Sequence, residues 1–98
     1  PASLPAKNPL NHRSRTVCFT DLDRNGHMNN TRYMDWVYDL LPSAFHESHP
    51  VQEFTVCYLN EAREGDQIDL SYELTDGPML TVDAQRDGNR IFSAQLQF

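Results

Sequence analysis

The most chemically capable stretch of this chain is Asp21-Leu22-Asp23-Arg24-Asn25-Gly26-His27-Met28-Asn29-Asn30. It holds two carboxylates, three carboxamides and one imidazole within ten residues. The apolar spacing that follows places it just ahead of a helix. A helix N-terminus presents unpaired N–H groups and a partial positive charge. Such donors can polarise a carbonyl or hold a developing oxyanion. A nearby carboxylate can then serve as general base or nucleophile, while His27 and Asn25 position water or substrate.

Plainer readings compete with this one. The same stretch can be a polar turn whose asparagines cap a helix. Asp21, Asp23, Asn25 and Gly26 also match positions 1, 3, 5 and 6 of a calcium-binding loop, but position 12 is Arg32 instead of the bidentate Glu. Glu61, followed by Ala62-Arg63-Glu64-Gly65-Asp66, is either a second catalytic carboxylate or a solvated strand end. Cys57 could join His27 and Asn25 in a cysteine-based trio; the commoner role for it and for Cys18 is that of a small buried hydrophobe. His12, His46 and His49 show no ligand spacing and are expected on the surface or in loops.

The elements that must position these groups follow from periodicity. Thr16-Val17-Cys18-Phe19-Thr20 is β-branched and aromatic, hence a strand. Asn29 and Asn30 can cap a helix whose Tyr33, Trp36, Val37, Leu40 and Leu41 form one apolar stripe ending at Pro42. Asp35 and Asp39 repel across its other face, so packing must hold it. After a loop over His46 to Pro50 the period changes to two. Phe54, Val56 and Tyr58; Ile68, Leu70, Tyr72 and Leu74; Leu80, Val82 and Ala84; and Phe92, Ala94, Leu96 and Phe98 each alternate with polar neighbours. Gly65-Asp66, Asp76-Gly77-Pro78 and Asp87-Gly88-Asn89 supply turns. One helix against one half-buried antiparallel sheet is an α+β domain.

Ninety-eight residues hold one such domain. Pro1, Pro5 and Pro9 mark residues 1–13 as an extended linker or arm, leaving 14–98 as the domain. The chain opens on Pro1 instead of Met and is expected to be part of something longer. A mean hydropathy of −0.63 implies a thin core and a missing partner surface. The net charge of −6 argues against nucleic acid as a partner. No apolar run approaches the roughly 18 residues of a membrane span. Cys18 and Cys57 form neither a disulfide framework nor a zinc motif, and suit a reducing, cytoplasmic setting.

The stretch from Asp21 to Asn30, with Tyr33, Trp36 and Leu41-Pro42, resembles the second half of the acyl-ACP thioesterases. Val56-Cys57-Tyr58-Leu59-Asn60-Glu61-Ala62, followed by Gly65-Asp66, is similar to that family's next strand and turn. The resemblance covers residues 14–98. A shorter Asp…Gly-His-x-Asn-Asn form is shared with single-domain acyl-CoA thioesterases. The resemblance implies a single hotdog domain, a curved antiparallel sheet of about five strands wrapped around one helix. It implies a second hotdog as partner, either a preceding half of the same chain or another copy. It carries catalytic roles onto Asp23, Asn25, His27 and Glu61, and implies no metal or cofactor. The family's proposed cysteine, directly after the glutamate, is Ala62 here, which favours carboxylate-driven hydrolysis over a thiol nucleophile.

On this basis a thioester carbonyl is expected at the helix N-terminus, polarised by backbone N–H groups from Gly26 to Met28. Asn29, Asn30 and Trp36 complete the substrate contacts. Glu61 or Asp23 activates water or attacks directly. The expected activity is hydrolysis of acyl-ACP to free fatty acid. A homodimeric acyl-CoA thioesterase and a non-hydrolytic acyl-binding hotdog are the alternatives. An acidic carrier meeting a chain of charge −6 needs local cations, for which Arg24, Arg32 and Arg63, or cations on the partner half, are candidates.

Overall fold

The computed structural model describes residues 11–98, and residues 1–10 of the expected arm lie outside them. The elements are β1 (Asn11–Thr16), α1 (Asn30–Tyr38), α2 (Ser43–Ser48), β2 (Glu53–Tyr58), β3 (Gln67–Thr75), β4 (Met79–Arg86) and β5 (Asn89–Gln97). The five strands make one antiparallel sheet in the order β1-β3-β4-β5-β2. This is the α+β architecture, and the hotdog, that the strand-helix-strands order and the resemblance imply.

The alternating strands behave as their period requires. Ile68 and Leu70 of β3, Leu80, Val82 and Ala84 of β4, and Phe92, Ala94 and Leu96 of β5 are all buried on one face. Against that face lies α1, capped by the Asn29 side chain accepting from Thr31 N–H. Its Tyr33, Trp36 and Val37 are buried, with the Tyr33 ring 4.7 Å from that of Phe92. Asp87 and Gly88, both at positive φ, form the two-residue turn between Arg86 and Asn89.

Three elements depart from expectation. β1 covers Asn11–Thr16, taking in residues 11–13 of the expected arm, whereas the strand was expected over Thr16–Thr20. Its sequence, NHRSRT, has no apolar residue; pairing with β3 at the sheet edge makes it a strand. Phe19–Asp21 is instead a 3-10 turn, drawn in by the Asp21 carboxylate accepting from Cys18 N–H at 2.9 Å. Second, the segment after Pro42 is not all loop. The Pro42 carbonyl accepts from Phe45 and His46 N–H and starts α2, whose Phe45 packs edge-on against Phe98 at 5.0 Å. Third, Asp35 and Asp39 are not left to repel each other: Asp35 pairs with Arg32 at 2.8 Å and Asp39 with Arg15 at 3.5 Å.

Among the described residues β2 is an edge strand, paired with β5 alone. Phe54, Val56 and Tyr58 stand opposite Leu96, Ala94 and Phe92, so they share the core-facing side. Yet Phe54 is 53% and Tyr58 45% exposed. The alternate residue Cys57 stands opposite Ser93 on the outer face and is exposed, as is Cys18. Neither cysteine is the buried hydrophobe expected: Cys57 faces away from the core and Cys18 lies in the turn after β1.

Candidate active site

The polar stretch folds as a small hairpin ahead of α1. Leu22 and Met28 form a bridge, the Asp23 N–H donates to the His27 carbonyl at 2.8 Å, and Gly26 turns the tip at φ +77°. Asp23 shapes the turn from within, its Oδ1 accepting from the N–H of Asn25 at 2.9 Å and of His27 at 3.2 Å. Asp21 anchors the base. It is 5% exposed, its Oδ1 accepts from Arg32 Nε at 3.2 Å, and its carbonyl accepts from Asn29 N–H. These two carboxylates face separate partners and do not converge as calcium ligands. Among the described residues no group of three or more His, Cys, Asp or Glu is placed to hold a metal ion.

Residues 61–63 run alongside this hairpin as its third strand. The Met28 N–H donates to the Ala62 carbonyl at 2.9 Å, and His27 pairs with Arg63. Ala62 faces inward and is fully buried, so the residue after the glutamate belongs to the core. A register shift in β5 sets where this segment starts. Ala84 pairs with Phe92 but Gln85 with Arg90, leaving Ile91 as an extra residue. The Ile91 carbonyl accepts from both Leu59 and Asn60 N–H, and Asn60 Nδ2 donates to the Arg90 carbonyl. The chain thereby leaves β2 and brings Glu61 Oε2 to 3.3 Å from His27 Nε2.

Behind Glu61 stands Arg86, which donates to the Glu61 carbonyl at 3.1 Å and to Asp66 Oδ2 at 2.6 Å. Asp66 Oδ2 also accepts from Arg63 N–H at 2.9 Å. That backbone N–H, followed by the Arg86 guanidinium, holds the Asp66 carboxyl below its ordinary value despite the opposing cost of burial. A lowered carboxylate pKa stabilises the fold above the ordinary value of 3.8 and ceases to do so as pH falls through the lower folded value. Asp66→Asn is therefore expected to cost about 1–2 kcal/mol at neutral pH, several degrees in Tm. Thermal melts of both proteins should converge once the pH falls below the lowered folded value; a gap that persists in strong acid would contradict the assignment.

The four candidate catalytic residues share one pocket of about 560 Å³. Asp23, Asn25, His27 and Glu61 line it, with Met28, Asn29 and Asn30 from the helix entrance. Tyr33, Tyr58, Leu59 and Asn60, none of them expected as site residues, also line it. Tyr33 was read as core, and it is both: its ring is buried, and burial pushes its hydroxyl up to about 12 against the lowering effect of the Ala62 N–H. The remaining three immediately precede Glu61, and that adjacency was the available signal.

Two expected substrate contacts are not in the lining. Gly26 turns the hairpin tip, and Trp36 is buried in the core with the Arg15 guanidinium 5.0 Å over its ring. The expected polarising N–H groups are also engaged. Gly26 donates to the Asp23 carbonyl, His27 to Asp23 Oδ1 and Met28 to the Ala62 carbonyl. In contrast, Asn30 N–H in the first turn of α1 and the Asn25 carboxamide have no partner among the described residues. Cys57, on the outer face of the sheet, does not join His27 and Asn25.

Fold and pocket together define a hotdog domain with its polar site at the entrance of the central helix. The chain belongs to the acyl-ACP thioesterase C-terminal domain family, whose model matches residues 6–98. Over 46 residues, 47% of this chain and 12% of the relative, it is 42% identical to the chloroplastic dodecanoyl-[acyl-carrier-protein] hydrolase of Cinnamomum camphora. Over 49 residues, 50% of this chain and 14% of the relative, it is 37% identical to oleoyl-acyl carrier protein thioesterase 1, chloroplastic, of Arabidopsis thaliana. The fold is that of an acyl-ACP thioesterase from Bacteroides thetaiotaomicron, with TM-score 0.84 and 22% identity over 98% of this chain and 39% of that one. The 12:0-ACP thioesterase from Umbellularia californica superposes with TM-score 0.83 and 24% identity, over 98% and 37% of the respective chains. The match thus spans well under half of each of these longer proteins.

Proposed function

We propose that this chain carries the catalytic groups for hydrolysis of an acyl-ACP thioester, releasing a free fatty acid. The observation that carries the reading is the His27–Glu61 contact of 3.3 Å, inside a pocket at the helix entrance. Membership of the acyl-ACP thioesterase C-terminal domain family supports the same substrate class.

In the proposed reaction the thioester carbonyl lies against α1, with Asn30 N–H and the Asn25 carboxamide facing the developing oxyanion. Glu61 accepts a proton from water as the water oxygen attacks the carbonyl carbon. His27 holds the Glu61 carboxylate in place. The tetrahedral intermediate then collapses, the C–S bond breaks, and the proton returns to the leaving thiolate. Asp23, with Oδ1 already committed to two N–H groups, adds negative charge beside His27 and is not the attacking group.

A second hotdog completes this unit. The edge of β2, free among the described residues, and the exposed Phe54 and Tyr58 on its core-facing side support a partner there, whether a preceding half of the same protein or another copy. The two exposed free cysteines fit a reducing, cytoplasmic setting, while the plant relatives are named chloroplastic.

The test is hydrolysis by the complete protein, followed by thiol release from matched acyl-ACP and acyl-CoA. Faster turnover of acyl-ACP is expected. Preference for acyl-CoA would move the assignment to the acyl-CoA hydrolases, and binding without turnover of either would leave an acyl-binding hotdog.

A further inference from the structure

The proposed carrier is anionic and this chain has a net charge of −6, so any attraction must come from individual arginines left unpaired. Arg13 donates to the Asp39 carbonyl, and Arg15 pairs with Asp39. Arg32 is divided between Asp21 and Asp35, which removes it from the expected docking set. Arg86 holds Asp66 and Arg90 holds Asp83. Only Arg24 and Arg63 have exposed side chains with no hydrogen bond or ion pair among the described residues.

Neither lines the active-site pocket itself, but each is a direct neighbour of residues that do. Arg24 sits in the hairpin tip between Asp23 and Asn25, each of which lines the pocket. Arg63 is paired with His27 across antiparallel strands, and the Met28 N–H to Ala62 carbonyl bond makes theirs the non-hydrogen-bonded kind of pair. Partners in such a pair project from the same face and approach closely. The alternation confirms the face: Met28 and Ala62 are buried, while His27, Glu61 and Arg63 point the other way.

We propose that Arg63 and Arg24 form an anion clamp at the mouth of the pocket that receives the phosphate of a phosphopantetheine arm. This rests on the thioesterase reading, since such an arm is what carries an acyl thioester. Two guanidinium groups suit one phosphate, which they meet with charge-assisted, forked hydrogen bonds. They do not suit a broad acidic protein face, which would also meet the exposed Glu61, Glu64 and Asp23 around them. The same phosphate occurs on the carrier protein and in coenzyme A, so the clamp reads the arm and leaves discrimination between carriers to other surfaces.

The test uses the complete protein and the double variant Arg24→Gln/Arg63→Gln, both side chains being exposed and outside the catalytic set. Calorimetry at low salt should show wild type binding 4′-phosphopantetheine about tenfold more tightly than pantetheine. The variant should lose that preference while binding pantetheine as wild type does. It should also weaken binding of the carrier protein bearing the arm, but not of the carrier lacking it. Equal affinity of wild type for the two small ligands overturns the clamp. So does equal weakening of both carrier forms, which would place the arginines against the protein face. If wild type hydrolyses no thioester yet keeps the phosphate preference, the thioesterase reading fails and the clamp stands. If hydrolysis is normal and the preference absent, the clamp alone fails.

Discussion

Replacing Glu61 by glutamine in the complete protein is expected to lower kcat on acyl-ACP by about 10²–10⁴-fold, the usual contribution of a positioned general base. KM should change little, because the amide keeps the shape of the pocket wall. Stability should also hold. The Glu61 side chain is 64% exposed and pairs with His27, its one polar partner among the described residues, while its carbonyl is secured separately by Arg86. Shortening the side chain with Glu61→Asp keeps the charge but withdraws it from His27, so an intermediate loss is expected. Adding a thiol next door cannot substitute: Ala62→Cys in the glutamine background should restore nothing, because position 62 points into the core. The readout is kcat and KM from thiol release, with circular dichroism melts as the folding control. Activity within tenfold of wild type in Glu61→Gln would remove Glu61 from the chemistry.

Much of this arrangement was readable in the chain because it depends on local rules. The stripe of α1, the alternation of β3 to β5 and the Asp87-Gly88 turn all follow from residue periodicity and backbone preference. What stayed hidden depends on contacts made at a distance. β1 is entirely polar and exists only because β3 offers it an unpaired edge. α2 is too short for a helical period to show, and it begins at a proline that equally well ends a helix. The buried Asp21 looked like one more polar loop residue; only its contacts with Cys18 and Arg32 make it an anchor.

The site divides along the same line. Asp23, Asn25 and His27 could be grouped because they are neighbours in sequence. Glu61 could be joined to them through family resemblance but not through any spacing, since a Glu in a charged segment is ordinarily solvated. In the folded chain the joining element is Ala62, whose carbonyl accepts from Met28 N–H while its side chain fills the core. That one residue sets the separation between the hairpin and Glu61. The Ile91 bulge sets the approach from the other side. Neither residue carries functional chemistry, so a search for reactive groups passes over both. The helix entrance was hidden for the same reason: the hairpin's own pairing already uses the N–H groups from Gly26 to Met28.

Asp23 permits a separation of structure from charge by two substitutions. In Asp23→Asn the amide oxygen can still accept from the N–H groups of Asn25 and His27, so the hairpin should persist. The negative charge beside His27 is lost. Loss of this electrostatic contribution is expected to lower hydrolysis of acyl-ACP about 10²-fold or more while the Tm stays within a few degrees of wild type. Asp23→Ala removes both functions and leaves two N–H groups of the turn without their acceptor. It should match or exceed the loss of activity and also lower stability by about 1–2 kcal/mol. Crystal structures or amide exchange at residues 23–28 would show whether the hairpin is kept in the first variant and loosened in the second. Near-wild-type turnover in Asp23→Asn, with activity lost only in Asp23→Ala, would make this carboxylate a builder of the turn and leave Glu61 as the one catalytic acid group in the pocket.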